Sequence, residues 1–338
     1  MAMSSKRVLS VLDLSPVVSG GTPPDALAAT LDLARLADSL GYERYWLAEH
    51  HNAKGLACSS PEVIASAIAA RTSRIRVGSG GVMLPNHSPL KVAESFRTLA
   101  CLFPGRIDLG VGRAPGSDAR TARVLRRMRE GEKLPPPEAM EGDLKALLRF
   151  LDEDLPPRAP FATSIVAVPA PTIAPRVHVL GASAFGAALA AKFGLPFAFA
   201  HHFAPDDAIS VAKLYRSTFV PSAHQRAPYV ILAVAALAAD SDAEAARLAK
   251  SARLGALYFA EGQRDLGFPS VAEAEAHVWT DEDARLAAGF GRAIIGRAAT
   301  VNAALDALRE ETSADEIMIT TTVHDHAARR RSYELLAR

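Results

Sequence analysis

The strongest constraint on the fold is a regular alternation of short apolar strand patterns with longer amphipathic helix patterns. Val8 to Leu14 predicts a strand, and Asp25 to Leu40 predicts a helix that ends at Gly41. A second strand, Tyr45 to Ala48, precedes a helix that begins at Ser60-Pro61. Strands that alternate with helices in this way form parallel sheets with the helices outside.

The alternation continues along the chain and gives about eight strands, so we predict a (β/α)8 TIM barrel, with an open doubly wound sheet as the alternative. Two segments, near residues 113–175 and 261–297, interrupt the rhythm. The first contains a basic helix from about Ala119 to Glu130, and the second contains a helix near Asp281 to Ala288. Because the alternation resumes after each segment, we expect both to be insertions at the carboxyl-terminal face of one barrel domain, residues 1–338.

Charge and composition exclude several classes of protein. A net charge of +1 gives no basic surface for nucleic acid, and the run Arg329-Arg330-Arg331 is expected on a solvated helix face. Two cysteines, Cys58 and Cys101, form no disulfide framework or metal motif. No stretch of about 20 apolar residues predicts a membrane span, so we expect a cytoplasmic protein.

Polar side chains or glycines follow most of the predicted strands. In barrels of this kind, functional residues gather where the strands end. The strand-end residues, taken in chain order, are Ser15, then Glu49-His50-His51, Gly80-Gly81, Arg113, Gly181-Ala182-Ser183 and His201-His202.

A metal site is one interpretation of these strand ends. Consecutive residues on a strand point to opposite faces, so His50 and His51 should not share one metal ion. No motif has the spacing of metal ligands. We therefore predict a site without metal, although the mixed set Glu49, His50 and His201, and with it a metal-dependent hydrolase, stays an alternative.

A phosphate site is a second interpretation. Arg113 directly follows a strand in a glycine-bordered loop, where a guanidinium could bind phosphate with two hydrogen bonds. Gly181 and Ser183 lie at a helix start, where N–H groups favour an anion. A surface salt bridge for Arg113 and a simple N-cap for Ser183 are the alternatives.

Two adjacent glycines within an apolar strand, Gly80-Gly81, need a separate explanation because glycine packs nothing there. Close approach of another backbone or of a flat ligand is the usual reason. A β-bulge is the competing explanation.

Several strings together resemble one known family. They are "YWLAEHHN", "RVGSGGVMLPNHSPLKVAESF", "FPGRIDLGVGRAPGSD", "GLPFAFAHHF" and "TTTVHDHAARRRSYELLA". In this order, and over nearly the whole chain, they resemble the bacterial luciferase-like monooxygenases, and among them the single-chain flavin oxidoreductases. The resemblance implies a (β/α)8 barrel that uses reduced FMN and oxygen, or, as in some relatives, a deazaflavin.

The resemblance also implies roles for individual residues. His50 matches the family's catalytic histidine, and Glu49 would orient it or support the fold. Gly80-Gly81 matches a pair beneath the flavin ring that a cis non-prolyl bond joins. Arg113 matches the arginine on the flavin phosphate, and Ala182-Ser183, with Gly181 before them, match the phosphate-binding residues.

Three positions depart from luciferase itself. Gly112 replaces a reactive cysteine, Ala182 replaces an acidic residue, and His201 stands where luciferase has an aromatic residue. These changes argue against light emission from long aldehydes. They leave Ser15, His201 and His202 as candidate residues of the substrate pocket.

The resemblance therefore implies an FMN-dependent monooxygenase that oxygenates a small organic substrate through a flavin 4a-hydroperoxide. His50, with a pKa near the working pH, would move the proton. No GxGxxG motif appears, so we expect reduced FMN to arrive from a separate flavin reductase, and we expect a homodimer without nucleic-acid or membrane partners. A deazaflavin-dependent dehydrogenase of the same fold, which needs no oxygen, is the alternative.

Overall fold

The chain folds into nine strands and twelve α-helices within the residues that the structure, a computed structural model, describes: 7–129, 131–152, 165–289 and 292–337. The strands are β1 Val8–Asp13, β2 Arg44–Leu47, β3 Arg76–Met83, β4 Ile107–Gly112, β5 Arg176–Gly181, β6 Phe197–Ala200, β7 Val230–Ala239, β8 Ile294–Arg297 and β9 Glu316–Thr320. The helices are α1 Pro23–Leu40, α2 Pro61–Ala69, α3 Pro89–Leu102, α4 Ala119–Leu125, α5 Ala139–Leu151, α6 Ala184–Phe193, α7 Ala208–Thr218, α8 Asp242–Ala260, α9 Val271–Ala276, α10 Asp281–Gly289, α11 Ala298–Thr312 and α12 His326–Leu336.

Eight parallel strands close into a barrel. The strand order runs from β6 down to β1 and then through β9 to β7, and β7 pairs with β6 to close the ring. β8 stays outside the ring, where it pairs with the last residues of β7, Ala236–Ala239. The structure therefore confirms the closed (β/α)8 barrel and excludes the open sheet. No helix in the described ranges is long and apolar enough to cross a membrane.

The inserted segments differ from the prediction in their short elements. In 261–297 the helix near Asp281 is confirmed as α10, but the six-residue α9 and the four-residue β8 were missed, because elements this short show too few periods of a pattern. In 113–175 the basic helix ends at Leu125, and Arg127 has a φ of 54°, a left-handed conformation that does not continue a helix. Part of this segment, 153–164, lies outside the described residues, as does residue 130, where the helix was predicted to end.

A buried network of charges fills the amino-terminal end of the barrel. Arg44, the first residue of β2, donates to Glu316 on β9 at 2.8 Å and to Asp108 on β4 at 2.7 Å. Arg76, the first residue of β3, donates to Asp108 at 2.6 Å, and the indole of Trp46 donates to the same carboxylate. Two arginines thus balance two carboxylates in hydrogen-bonded pairs, as buried charges require. This end of the barrel is filled, which leaves the carboxyl-terminal end for a site.

The basic run near the carboxyl terminus is only partly solvated, which corrects the sequence interpretation. Arg329 is 3% exposed and donates to Asp13 at the end of β1 at 2.6 Å and to the carbonyl of Thr321 at 2.9 Å. Arg331 stays partly exposed and pairs with Asp240. At 3.6 residues per turn, three successive residues of α12 point in different directions, so one of them faces the barrel.

Candidate active site

Five neighbouring strands, β2 to β6, bring most of the predicted site residues to one mouth of the barrel. These strands are parallel and adjacent, so their carboxyl ends lie at the same rim. The residues at or near these ends are Glu49 and His50 for β2, Gly80-Gly81 for β3, Arg113 for β4, Gly181-Ala182-Ser183 for β5 and His201-His202 for β6.

His50 lies just beyond β2 and carries a neutral imidazole. Its backbone N–H donates to the carbonyl of Cys58 at 2.9 Å, and its Nδ1 is buried without a hydrogen-bond partner among the described residues. Burial lowers the pKa of His50 to about 4 and outweighs the opposing charge of Glu49. The expectation of a pKa near the working pH is therefore wrong, because burial favours the uncharged ring.

Glu49 organises two other histidines and not His50. The residue is 1% exposed, and its Oε1 accepts from Nε2 of His51 and from Nε2 of His87, both at 2.7 Å. Its Oε2 accepts from the backbone N–H of Met83 at 3.1 Å. Burial alone would raise the pKa of Glu49, but the hydrogen bonds from His87 and His51 lower it, so the carboxylate stays charged. Glu49 makes no hydrogen bond to His50, so of the two expected roles, orienting His50 or supporting the fold, its contacts fit the second.

Within the described ranges, the group with the spacing of metal ligands is Glu49, His51 and His87, whose ligand atoms lie within 4.8 Å of one another. It is not the set Glu49, His50 and His201 that the sequence left open. Glu49 and His51 meet because residues two apart on an extended chain share a face, which also separates His51 from His50 as predicted. His87 was missed, since no local pattern links it to a glutamate 38 positions earlier.

Both explanations weighed for Gly80-Gly81 hold in the structure. A Cβ on Gly81 would lie 2.7 Å from the carbonyl oxygen of Gly110, and one on Gly80 would lie 2.8 Å from a methyl of Leu12. The pairing register of β3 with β4 also shifts between Gly80 and Val82, as in a bulge. The Gly80-Gly81 peptide bond is cis, as the resemblance implied.

Arg113 and the start of α6 face each other across the ends of β4 and β5. The guanidinium carbon of Arg113 lies 4.7 Å from the ring centroid of Phe185, in the first turn of α6. Ser183, the N-cap residue, is exposed, and its hydroxyl makes no capping hydrogen bond. A cation, a hydroxyl and the N–H groups of a helix start therefore meet in one place, and together they favour an anion.

The remaining predicted pocket residues differ in their surroundings. His201 is buried, and its Nδ1 has no partner among the described residues, while Nδ1 of His202 lies 3.0 Å from the carbonyl of Ala233. Burial lowers the pKa of both imidazoles. Ser15 is fully buried, and its hydroxyl accepts from Thr30 of α1 at 2.9 Å. Ser15 thus contacts the helix layer and lines no open pocket in this structure.

The first inserted segment lies against the loops that follow β2 and β3. His51 N–H donates to the carbonyl of Gly116 at 3.0 Å, and the side chain of Asn86 donates to the carbonyl of Pro115 at 2.9 Å. Asn52 donates to Thr121 at 3.1 Å. These bonds fix residues 115–121 over the mouth beside Glu49.

The second inserted segment contacts the loops that follow β1 and β2. Gly55 N–H donates to the carbonyl of Arg264 at 3.1 Å, and Ser19 N–H donates to the carbonyl of Phe268 at 2.8 Å. The side chains of Arg264 and Asp118 meet at 3.9 Å, so the two segments contact each other. The position of both insertions at the carboxyl-terminal face agrees with the prediction.

The comparison with known proteins identifies the family. The sequence model of the family described as luciferase-like monooxygenase matches residues 9–316 of this chain. The chain belongs to this family. A luciferase-like monooxygenase of Escherichia coli strain K12 is 41% identical over 334 residues, which are 98% of this chain and 97% of the relative.

Solved structures agree on the fold. Apo-MsnO8 superimposes with a TM-score of 0.89 at 38% identity and covers 98% of this chain and 97% of its own. The oxygenating constituent of 3,6-diketocamphane monooxygenase from Pseudomonas putida, solved with FMN, has a TM-score of 0.69 at 19% identity, with 98% and 97% covered. The second likeness shows the fold alone. Together with the family match, these findings confirm the resemblance and support an oxidoreductase, and they do not support the metal-dependent hydrolase.

Proposed function

We propose that this chain is an FMN-dependent monooxygenase that takes reduced FMN as a co-substrate and oxygenates a small organic molecule with O2. The cationic cradle formed by Arg113 and the start of α6 carries the proposal. A phosphate monoester fits a guanidinium beside unpaired helix N–H groups. Reduced FMN would supply the electrons that activate oxygen.

A second observation supports a bound organic group at the same mouth. Three buried polar atoms at strand ends, His50 Nδ1, His201 Nδ1 and Thr320 Oγ1, have no hydrogen-bond partner among the described residues. Buried polar groups are normally paired, so a bound ligand or water at this mouth would supply the partners that these three atoms lack. Thr320, the last residue of β9, was not predicted as a site residue.

Each residue then has a role that follows from its surroundings. Arg113, Gly181, Ala182 and Ser183 would bind the phosphate. Gly80-Gly81, which carry no side chains, would let a flat ring approach β3. His50, neutral at pH 7, can accept a proton or donate a hydrogen bond beside the reacting oxygen. Residues 115–121 and 264–268 would keep water out of the mouth.

The supply of reduced FMN by a separate reductase, the homodimer and the cytoplasmic location stay predictions. The deazaflavin alternative also has the fold that this site requires. It differs in needing no oxygen, so one experiment separates the two functions.

The test mixes the protein with reduced FMN under anaerobic conditions and then adds oxygen in a stopped-flow cell. We expect a transient near-ultraviolet absorbance band that neither reduced nor oxidised free FMN shows. His50→Gln should bind reduced FMN as the wild type does but form that band at least about 100-fold more slowly, the usual contribution of a group that moves a proton. His277→Gln, in the second insertion, is the control and should behave as wild type.

Identical traces for the wild type and His50→Gln would remove His50 from the mechanism. Failure to bind reduced FMN, together with tight binding of a reduced deazaflavin and turnover without oxygen, would replace the monooxygenase by the dehydrogenase.

A further inference from the structure

Arg264 is the one half-buried residue in an exposed run, residues 261–266, of the second insertion. Its side chain is 33% exposed. Its carbonyl accepts the N–H of Gly55, in the loop that continues from Glu49 and His50. The backbone of Arg264 is therefore fixed to the β2 loop, beside the candidate active site.

The guanidinium of Arg264 lacks a hydrogen-bond acceptor among the described residues. Its nearest carboxylate oxygen, Oδ2 of Asp118, lies 3.9 Å away, beyond hydrogen-bond distance. That carboxylate is already engaged: it accepts from the backbone N–H groups of Arg120 and Thr121, from the hydroxyl of Thr121 and from Asn52. The guanidinium N–H donors of this half-buried arginine thus have no acceptor among the described residues and are accessible to a ligand.

The positive charge of Arg264 also acts on His50. Burial is the main cause of the lowered pKa of His50, and the positive charge of Arg264 lowers it further. Arg292 has the same effect on the pKa of His201, but Arg292 is exposed and already bonded to Asp206 at 2.8 Å. Of these two arginines, Arg264 is therefore the one whose guanidinium has no hydrogen-bond acceptor among the described residues.

We propose that Arg264 is a substrate-recognition residue, which pairs with a carboxylate or sulfonate of an organic acid while the group to be oxygenated lies beside His50. This inference rests on the proposed function, since it names the substrate class of the same mouth. A planar guanidinium forms two parallel hydrogen bonds to such a group, so it fixes position as well as charge. In the proposed function the phosphate of FMN binds Arg113, at the β4–β5 side, and so does not satisfy Arg264.

The test is calorimetry on the full chain loaded with reduced FMN under anaerobic conditions. The probes are hexanoate, hexane-1-sulfonate and the uncharged hexanamide. The variants are Arg264→Gln, Arg264→Lys and, as a matched control, Arg285→Gln, which removes an exposed arginine of α10 in the same insertion. Circular dichroism verifies that each variant is folded.

We expect the wild type to bind the two anions at least about tenfold more tightly than hexanamide, a difference of about 1.4 kcal/mol. Arg264→Gln should lose that preference and bind hexanamide unchanged. Arg264→Lys should keep part of it, because it keeps the charge but not the planar fork. Arg285→Gln should match the wild type.

Equal affinities of the wild type for hexanoate and hexanamide, or equal affinities of the wild type and Arg264→Gln for hexanoate, would overturn the inference. So would weaker binding of reduced FMN to Arg264→Gln, since Arg264 would then serve the cofactor. If reduced FMN does not bind at all, the proposed function fails, and the same titration on the flavin-free chain decides the inference alone. In that titration, a preference for anions that depends on Arg264 supports the inference, and the absence of such a preference contradicts the inference.

Discussion

Replacing Arg113 by glutamine should weaken binding of reduced FMN by about 30- to 150-fold. A hydrogen bond from a charged group contributes about 1.5–3 kcal/mol, and a guanidinium can make two to one phosphate. Arg113 is exposed, and it already lies 4.7 Å from the ring of Phe185, so it needs little reordering to meet a phosphate. Because water competes at an exposed site, we take about 2–3 kcal/mol for the pair, which gives that range.

The assay is an anaerobic absorbance titration with reduced FMN at low and at high ionic strength. Arg285→Gln, which removes another exposed arginine, is the control for net charge and should bind as the wild type does. The difference between the wild type and Arg113→Gln should shrink as salt rises, because exposed charges are screened. If Arg113→Gln loses less than about threefold in affinity for reduced FMN at low salt, which is below about 1 kcal/mol, the cationic cradle does not bind the phosphate.

Three further predictions concern stability and the mouth of the barrel. Arg329→Met breaks a buried ion pair with Asp13 and should cost about 3–5 kcal/mol in urea unfolding, whereas Arg331→Met, from the same basic run, should cost far less. Equal costs would contradict the burial of Arg329. Gly81→Ala puts a Cβ 2.7 Å from the carbonyl oxygen of Gly110 and should lower the melting temperature, while Gly142→Ala, with open space on α5, should leave it equal or higher. The pKa of His50 is about 4 in the folded protein and 6.5 in its ordinary state, so the unfolded chain takes up a proton at higher pH than the folded chain. The free energy of unfolding should therefore fall as the pH drops from about 6.5 to 4. If His50→Gln shows the same pH profile as the wild type, His50 does not contribute to this fall.

The barrel could be predicted because its elements repeat a local pattern. Strands such as Ile107–Gly112 are short apolar runs between helices, and a parallel sheet with outer helices is the arrangement that covers both faces of such runs. The closure of β6 on β7 followed from the number of strands. The short elements β8 and α9 lacked this periodicity and were missed.

The candidate site could be predicted only where one stretch of chain carries the signal. His50, Arg113 and Ser183 directly follow strands, so their place at the rim follows from the alternation. The partners of Glu49 could be predicted only in part: His51 shares its face by alternation, but His87 comes from another loop.

Residues that act through the insertions gave no sequence signal. Arg264 and Asp118 lie 146 positions apart and meet only after both insertions pack on the mouth. The lowered pKa of His50 likewise depends on burial by distant segments, which no local pattern specifies. The 4a-hydroperoxide, the reductase and the homodimer stay predictions for the same reason, since they concern partners outside the chain.

A crystal structure of the full chain with reduced FMN, grown without oxygen, tests the central claim most directly. We expect the FMN phosphate to accept hydrogen bonds from Arg113 and from the first turn of α6, and the flavin ring to lie against Gly80-Gly81 with His50 beside it. A phosphate bound at Arg264, or a flavin outside the carboxyl-terminal mouth, would contradict the account.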